Sequence, residues 1–207
     1  MSKTRVLIIR HGETDSNLAG KLDGQVETTL TEKGIAQAEQ LGELLAEEQI
    51  DIAFASPLNR SQETAKIVLK HHGVEIVTEQ TMMEIDCGDC TLRFRDDVIK
   101  EFPDLAKGWE EQVDPPFPNG ESLRDVQARV MPFIKKILKE HEGKTILLSG
   151  HGALNRAIIG AFLEVPAGLC WNIDQSNCCL NEISFRGDKY TVKRVNHDPA
   201  LGVLKKE

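Results

Sequence analysis

Two apolar runs of strand length, each followed by a histidine and a glycine, place the strongest constraint on how this chain can fold. Residues 6–9 lead into Arg10-His11-Gly12, and residues 145–148 lead into Ser149-Gly150-His151-Gly152. Neither run alternates between apolar and polar side chains, which is typical of strands buried on both faces of a parallel sheet. The residues after such strands lie at the carboxyl edge of the sheet, where open α/β sheets bind ligands. We therefore expect His11 and His151 to lie side by side at one edge.

The rest of the chain alternates between strand-like runs and segments whose apolar residues recur at helical spacing. We predict strands at 51–56 and 75–78, helices at 31–45, 57–69, 121–141 and 153–163, and a hairpin built from 181–185 and 190–195. The 207 residues suit a single three-layer α/β domain (1–207), in which helices flank a mostly parallel central sheet. Residues 85–120 are predicted to form a smaller helical and loop lid insertion, and the polar tail to Glu207 is predicted to be loose.

Charge and composition narrow the choice of partners. The net charge of −8 argues against binding to nucleic acid or to an anionic membrane, because both require a basic surface. No apolar run approaches the ~18 residues that a membrane span needs. The first strand begins directly after residues 1–4, with no apolar signal segment before it, so we expect a cytoplasmic protein.

The five cysteines are an odd number, and without an export signal we expect them to be free thiols. Cys87 and Cys90 form a lone CxxC motif, and Cys178 and Cys179 are adjacent. A zinc or redox site built from these residues is an open alternative. A second CxxC or a CxxH motif, which would favour such a site, does not occur in the sequence.

Four further side chains are predicted near the edge that carries the histidines. Arg10 ends the first strand, and Arg60 lies near the start of a helix, where a positive charge is unfavourable unless an anion is close. Glu84 lies between apolar residues, a setting in which a carboxyl group can act as a general acid. Asn17 is close enough in sequence to His11 to return to the same pocket. Each also has an ordinary interpretation as a solvated charge or a turn residue.

These side chains favour phosphoryl transfer over other reactions. The sequence contains no HExxH motif, position 147 is a leucine where GxSxG requires a glycine, and no GxxxxGK[ST] motif occurs. Arginines match the geometry of a phosphoryl group and neutralise its charge without a metal ion. A neutral histidine can attack phosphorus, and an acid can then protonate the leaving oxygen.

The motifs at this edge resemble those of a known family. Residues 10–14, Arg-His-Gly-Glu-Thr, are similar to the RHG[E/Q]T signature of the histidine phosphatase superfamily, also called the phosphoglycerate mutase-like family. The resemblance covers roughly the first three-quarters of the chain, in the family's order. Its further segments are Asn17, Leu30–Gly34 (with Thr29 in place of proline), Ser56–Ala65, Glu84, Asn119–Ser122 and Ser149–Gly152.

The resemblance implies a role for each matching residue. His11 would be the nucleophile that becomes phosphorylated. Arg10, Arg60 and His151 would bind the phosphoryl oxygens with help from Asn17, and His151 would count among the catalytic residues. Glu84 would be the acid for the leaving group and then the base that activates water. The resemblance implies neither a metal ion nor an organic cofactor.

Residues near the mouth of the site are predicted to contact the substrate. The polar loop of residues 19–29 places Gly24 and Gln25 there, and Arg93 in the insertion is a further candidate. An ordinary solvated face is the alternative interpretation of Arg93. The sequence after Glu84 departs from that of many family members, so Asp86 and Asp89 are alternative acids.

The short chain resembles the phosphatase branch of the family more than the longer phosphoglycerate mutases. We therefore expect an acid-type phosphatase that acts on a small phosphorylated metabolite. A phosphoglycerate mutase and an inactive protein that binds phosphorylated ligands are the two alternatives. A second copy of the chain is a candidate partner, since the predicted hairpin lies at an edge of the sheet.

Overall fold

The fold is built from alternating strands and helices, as the sequence pattern predicts. The computed structural model describes residues 2–201; residue 1 and the predicted loose tail, residues 202–207, lie outside the described residues. The strands are β1 (Thr4–Arg10), β2 (Ile52–Ala55), β3 (Ile76–Thr78), β4 (Thr145–Gly150), β5 (Leu180–Arg186) and β6 (Lys189–His197). The helices are α1 (Asp15–Ala19), α2 (Glu32–Leu45), α3 (Asn59–Val68), α4 (Arg95–Glu101), α5 (Pro103–Glu110), α6 (Leu123–Glu140) and α7 (Gly152–Phe162).

The strands of residues 2–201 form one six-stranded sheet in the order β3-β2-β4-β1-β5-β6. The pairs β3–β2, β2–β4 and β4–β1 are parallel, whereas β5 is antiparallel to β1 and forms the predicted hairpin with β6. Because β1 and β4 are neighbours near the centre of the sheet, the residues that follow them meet at its carboxyl edge.

Helices cover both faces of the sheet, which confirms the predicted three-layer α/β architecture. On one face, side chains of β1 and β4 such as Ile8 and Leu148 pack with the apolar stripes of α6 and α7. On the other face, Leu7 and Leu147 pack with residues of α2 and α3. Neighbouring residues of one strand thus lie in opposite cores, which explains why these strands read as unbroken apolar runs.

Local capping fixes where the helices begin. Thr31 caps α2 by accepting a hydrogen bond from the Gly34 amide at 3.0 Å, as its position in the sequence predicts. Ser122 and Asp125 form a reciprocal capping box at the start of α6. None of the helices within residues 2–201 combines the length and apolar character that crossing a bilayer requires.

Candidate active site

The two histidines meet at the carboxyl edge of the sheet. His11 follows β1 and His151 follows β4, and Arg10 lies opposite Gly150 in the ladder that joins the two strands. The centroids of the imidazole rings are 5.3 Å apart. Both side chains are buried. The juxtaposition expected from the paired sequence motifs is therefore present in the structure.

His11 carries its free lone pair on Nε2. Its Nδ1 atom lies 2.8 Å from the carbonyl oxygen of Gly12, which can only accept a hydrogen bond. Nδ1 therefore holds the proton of the neutral ring, and Nε2 stays unprotonated. Burial lowers the pKa of His11 well below its usual value, and the positive charges of Arg10 and Arg60 lower it further. The environment thus stabilises the neutral, nucleophilic form of the ring.

His151 has both ring nitrogens free for a ligand. Neither nitrogen has a hydrogen-bond partner among the described residues, although the side chain is fully buried. Burial lowers its pKa well below the usual value, with further contributions from the positive charges of Arg60 and Arg10. A buried polar group without a partner is costly, so this arrangement favours a ligand that supplies the missing hydrogen bonds.

Arg10 and Arg60 each use part of the guanidinium for the protein and leave the rest unused. Arg60 donates to the carbonyl oxygens of Val26 at 2.6 Å and Gly24 at 2.8 Å, and Arg10 donates to that of Gln175 at 2.5 Å. The Nε atom of each arginine is buried and has no partner among the described residues. Backbone carbonyls orient these cations without neutralising them, which leaves two positive charges for an anion.

Glu84 lies against the N-terminus of α7, the helix that begins directly after His151. Its Oε1 accepts hydrogen bonds from the amides of Ile85 at 2.9 Å and Leu154 at 3.1 Å, and its Oε2 accepts one from Ala153 at 3.2 Å. The apolar neighbours in the sequence predict a different, apolar setting for this carboxyl group. That expectation is wrong because α7 begins immediately after His151 and brings its unpaired first-turn amides across the sheet edge.

A clamp between two distant segments holds the backbone of Glu84 in place. Arg129 of α6 donates to the carbonyl oxygens of Met83 and Glu84, both at 2.9 Å, and its Nε pairs with Glu121 at 2.8 Å. The other carboxylate oxygen of Glu121 accepts from the Asp86 amide at 2.9 Å, and the Glu121 amide donates to the Asp86 carbonyl at 2.9 Å. These hydrogen bonds therefore join the two ends of the 85–120 segment next to the backbone of Glu84.

A cavity of about 430 Å³ opens beside His11. This volume lies within the usual range for small-molecule sites and is several times that of a phosphate group. Among the predicted site residues, Arg10, His11, Asn17, Gly24 and Glu84 line it, whereas Arg60 and His151 are fully buried and are not part of the wall. The other lining residues are Lys21, Leu22, Asp23, Ile85, Cys87, Arg95, Trp109, Phe117, Gly152, Ala153, Arg156, Trp171 and Asn172.

Asn17 lines the cavity and belongs to the first turn of α1, so it is neither the helix C-cap nor the turn residue of the alternative interpretation. It completes a capping box with Thr14. Its Nδ2 donates to Asp23 at 3.1 Å, and its Oδ1 accepts from Asn177 at 3.1 Å. The other oxygen of Asp23 is buried and has no partner among residues 2–201, so a carboxylate lies beside the anion-binding groups.

Comparison with known proteins assigns the chain to a family. The family model described as "Histidine phosphatase superfamily (branch 1)" matches residues 6–198. The chain belongs to the histidine phosphatase superfamily. An adenosylcobalamin/alpha-ribazole phosphatase from Escherichia coli is 30% identical over 96% of this chain and 98% of its own. A 2,3-bisphosphoglycerate-dependent phosphoglycerate mutase from Azorhizobium caulinodans is 34% identical over 74% of this chain and 79% of its own.

A solved structure supports the same assignment. Bacillus stearothermophilus YhfR superposes on this chain with a TM-score of 0.85 at 28% identity, and the match covers 94% of this chain and 97% of that one. The resemblance read from the sequence motifs is thus confirmed, and the three-layer fold is shared with a solved structure of similar size.

Two predicted entrance residues of this histidine phosphatase superfamily member lie outside the cavity. Gln25 donates through Nε2 to the backbone oxygen of Glu84 at 2.9 Å, so it holds the backbone of Glu84 and does not line the cavity. Arg93 pairs with Glu101 and stacks over the ring of Phe102 at 5.5 Å, and it is not a lining residue. Arg95, the first residue of α4, lines the cavity instead of Arg93.

The alternative acids are bound elsewhere. Asp86 accepts a hydrogen bond from the Gly88 amide at 2.8 Å, and Asp89 accepts one from the Asn119 side chain at 2.8 Å. Neither lines the cavity, whereas Glu84 does. The geometry therefore favours Glu84 as the acid.

Several functional candidates escape sequence reasoning. Asn177 donates to the backbone oxygen of His11 at 3.1 Å, and Arg129 positions Glu84, yet both come from segments without a recognisable motif. Arg156 and Trp171 line the cavity from α7 and the turn that follows it. Arg156 lies five residues after His151 and is the one charged residue of a mostly apolar helix, and this isolated charge is the one signal that the sequence offers.

The five cysteines of this family member are free and buried, as expected for thiols outside a disulfide framework. Burial raises the pKa of Cys178 to about 12 and that of Cys179 to about 11. Burial also raises the pKa of Cys87, which lines the cavity. Within residues 2–201, no group of three or more histidine, cysteine or acidic side chains has the arrangement of a metal site.

Proposed function

We propose that this protein is a metal-independent, acid-type phosphomonoester hydrolase that acts on a small phosphorylated metabolite through a phosphohistidine intermediate. The observation that carries the proposal is the set of buried, unpartnered nitrogens around a nucleophilic imidazole. The Nε atoms of Arg10 and Arg60 and both ring nitrogens of His151 lack partners among the described residues. The ring of His151 lies 5.3 Å from that of His11, and the charges of Arg10 and Arg60 act on His11, whose proton is held on Nδ1.

The first chemical step forms a bond between Nε2 of His11 and phosphorus. Arg10, Arg60 and His151 bind the phosphoryl oxygens, and they stabilise the charge that develops as the bond to the leaving oxygen breaks. Glu84 gives its proton to that oxygen, and the alcohol leaves. A phosphohistidine and an ionised Glu84 remain.

Water completes the cycle. The Glu84 carboxylate takes a proton from water, and the oxygen attacks the phosphorus of the phosphohistidine. The bond between phosphorus and Nε2 breaks, inorganic phosphate leaves, and both His11 and Glu84 return to their starting protonation states. Because burial and neighbouring charges lower the pKa of His11, its nucleophilic form persists below neutral pH, which supports the acid-type assignment.

The test measures phosphate release in EDTA from p-nitrophenyl phosphate, 3-phosphoglycerate, phosphoserine, sugar phosphates and nucleotides. We expect release from at least one ester, and we expect a His11→Asn variant to lose it by at least about 10³-fold. His71→Asn is the matched control, since this histidine is exposed and lies outside the site. Trapping of an acid-labile, alkali-stable phosphoprotein would support the intermediate. Equal rates for the wild type and His11→Asn would overturn the proposal.

A phosphoglycerate mutase is the second candidate, because the mutase from Azorhizobium caulinodans is 34% identical to this chain. A mutase returns the phosphoryl group of His11 to the product instead of to water. The same panel separates the two, since a mutase converts 3-phosphoglycerate to its isomer with little phosphate release. An inactive ligand-binding protein would bind these esters and turn over none of them.

A further inference from the structure

Two arginine–tryptophan pairs line the cavity together with the phosphoryl-binding groups. The guanidinium carbon of Arg95 lies 5.8 Å from the centroid of the Trp109 ring, and that of Arg156 lies 5.8 Å from the centroid of Trp171. One pair belongs to α4 and α5 in the 85–120 segment, and the other belongs to α7 and the turn after it. We call these four residues together with Lys21 the outer subsite.

Arg156 forms no direct ion pair in the described part of the chain, although the charges of Glu84 and Asp174 act on it. Its Nε donates to the carbonyl oxygen of Ile173 at 2.8 Å, and no carboxylate pairs with the guanidinium. Burial lowers its pKa and the neighbouring charge of Arg10 lowers it further, whereas the carboxylates of Glu84 and Asp174 oppose the shift. A Cβ on Gly152 would lie 3.1 Å from Nη1 of Arg156 and 3.6 Å from Nε of Arg10, so the two cations converge across this glycine.

The cavity wall carries more positive than negative charge. Four cationic side chains line it, Arg10, Lys21, Arg95 and Arg156, against the two carboxylates of Asp23 and Glu84. Neither Lys21 nor Arg95 forms an ion pair among residues 2–201. In a chain of net charge −8, this local excess of positive charge marks a surface that attracts anions. The phosphoryl group accounts for Arg10, while the outer subsite retains three cations.

We propose that the outer subsite binds a second oxyanion, a carboxylate or a phosphate, on the leaving group of the substrate. Arg156 and Arg95 offer guanidinium groups that match an oxyanion, and the two indole rings cover the apolar part of the leaving group. The inference rests on the proposed phosphatase function and specifies its substrate class: a phosphomonoester whose alcohol carries its own negative charge.

The test compares 4-carboxyphenyl phosphate with the methyl ester of the same compound, which lacks the second charge but has nearly the same shape. The ratio of their kcat/KM values in the wild type should favour the charged ester by at least about tenfold. Arg95→Gln and Arg156→Gln should each bring that ratio towards one. Arg93→Gln is the matched control, because it removes a neighbouring positive charge that does not line the cavity.

The outcomes separate the two levels of the proposal. Phosphate release from either ester that depends on His11, with an equal ratio in the wild type and in both cavity variants, would overturn the outer subsite alone. If the wild type releases no more phosphate from either ester than His11→Asn does, the phosphatase function itself is overturned. Arg95 is exposed, so Arg95→Gln keeps the test decisive even if Arg156→Gln fails to fold. The bisphosphate ester of hydroquinone, run alongside, shows whether carboxylate or phosphate is preferred.

Discussion

The chemistry of the site depends on two imidazoles that stay neutral inside the protein. Burial is the largest cause of the lowered pKa of both His11 and His151, and nearby arginines add to it. The same positive charges that attract an anion therefore oppose protonation of His11. This arrangement has a cost in stability, and that cost depends on pH.

We predict that the protein loses stability as the pH falls below the ordinary histidine value. The unfolded chain takes up protons on His11 and His151 near pH ~6.5, whereas the native state does not, so acid favours unfolding. Above that pH the two histidines do not change the free energy of unfolding. Below it, each histidine lowers the free energy of unfolding by up to about 1.4 kcal/mol per pH unit. Urea unfolding at about pH 7.5, 6 and 5 measures the slope. An unchanged slope in both His11→Asn and His151→Asn would contradict the prediction.

A second prediction at the residue scale concerns Glu84. Glu84→Gln removes the proton donor but keeps an oxygen that can accept from the α7 amides. We expect kcat for phenyl phosphate to fall by about 10² to 10⁴, because phenolate is a poor leaving group without an acid. The p-nitrophenolate ion leaves readily without protonation, so the decrease in kcat for p-nitrophenyl phosphate should be much smaller. Equal losses for the two esters, in steady-state and burst measurements, would argue against Glu84 as the acid.

A third prediction follows from the carboxylate beside the anion-binding groups. Asp23→Asn removes a negative charge that lines the cavity and keeps an acceptor for the Asn17 amide. Inorganic phosphate should then inhibit about fivefold more tightly, which corresponds to about 1 kcal/mol of removed repulsion. Product-inhibition kinetics measure this effect, and weaker inhibition would show that Asp23 helps to hold the phosphoryl group.

Sequence reasoning found the residues that follow strands and missed those that reach the site from elsewhere. His11, Arg10 and His151 were predictable because a buried strand fixes where its next residues point. Asn177 and Arg129 were not, because their positions depend on how distant segments pack. The wrong setting for Glu84 has the same origin, since its neighbours in sequence are apolar while its neighbours in space are the amides of α7.

At the scale of elements, the first turn of α2 packs directly against the loop that carries His11. A Cβ on Gly34 would lie 2.1 Å from the carbonyl oxygen of Glu13, and one on Gly12 would lie 2.4 Å from that of Gly34. Both contacts are with backbone, which cannot rotate away. The two glycines thus allow α2 to approach the loop after β1 and hold it in position.

We predict that Gly34→Ala destabilises the protein by about 2 to 3 kcal/mol, although alanine is the better helix former. It should also lower kcat, because the displaced loop carries His11. Gly42→Ala in the same helix is the matched control, since its nearest contacts lie at 3.3 Å. Thermal unfolding of the two variants gives the comparison. If both variants cost the same, helix propensity and not the close approach would govern this position.

For the whole molecule, the five thiols report on the integrity of both cores. Each is buried, and burial raises the pKa of Cys178 to about 12 and that of Cys179 to about 11. We predict that a thiol reagent such as Ellman's reagent reacts with four thiols of the native protein only at the rate of unfolding, while Cys87 is reached through the cavity that it lines, and that urea brings the total to five equivalents. Rapid labelling of more than one thiol in the folded protein would show that a further cysteine is reachable through a local opening.

The clamp between Asp86 and Glu121 has a consequence for how enzymes of this kind diversify. The two ends of the segment between these residues are hydrogen-bonded to each other. A longer or shorter segment would therefore leave the surrounding chain in nearly the same position. The histidines and arginines of the sheet edge lie outside that segment, whereas Arg95 and Trp109 lie inside it. Exchanged between relatives at the clamp, the segment would carry Arg95 and Trp109 with it and leave Arg156, Trp171 and Lys21 on the framework, so an exchange would alter one side of the leaving-group cavity and leave the sheet edge as it was.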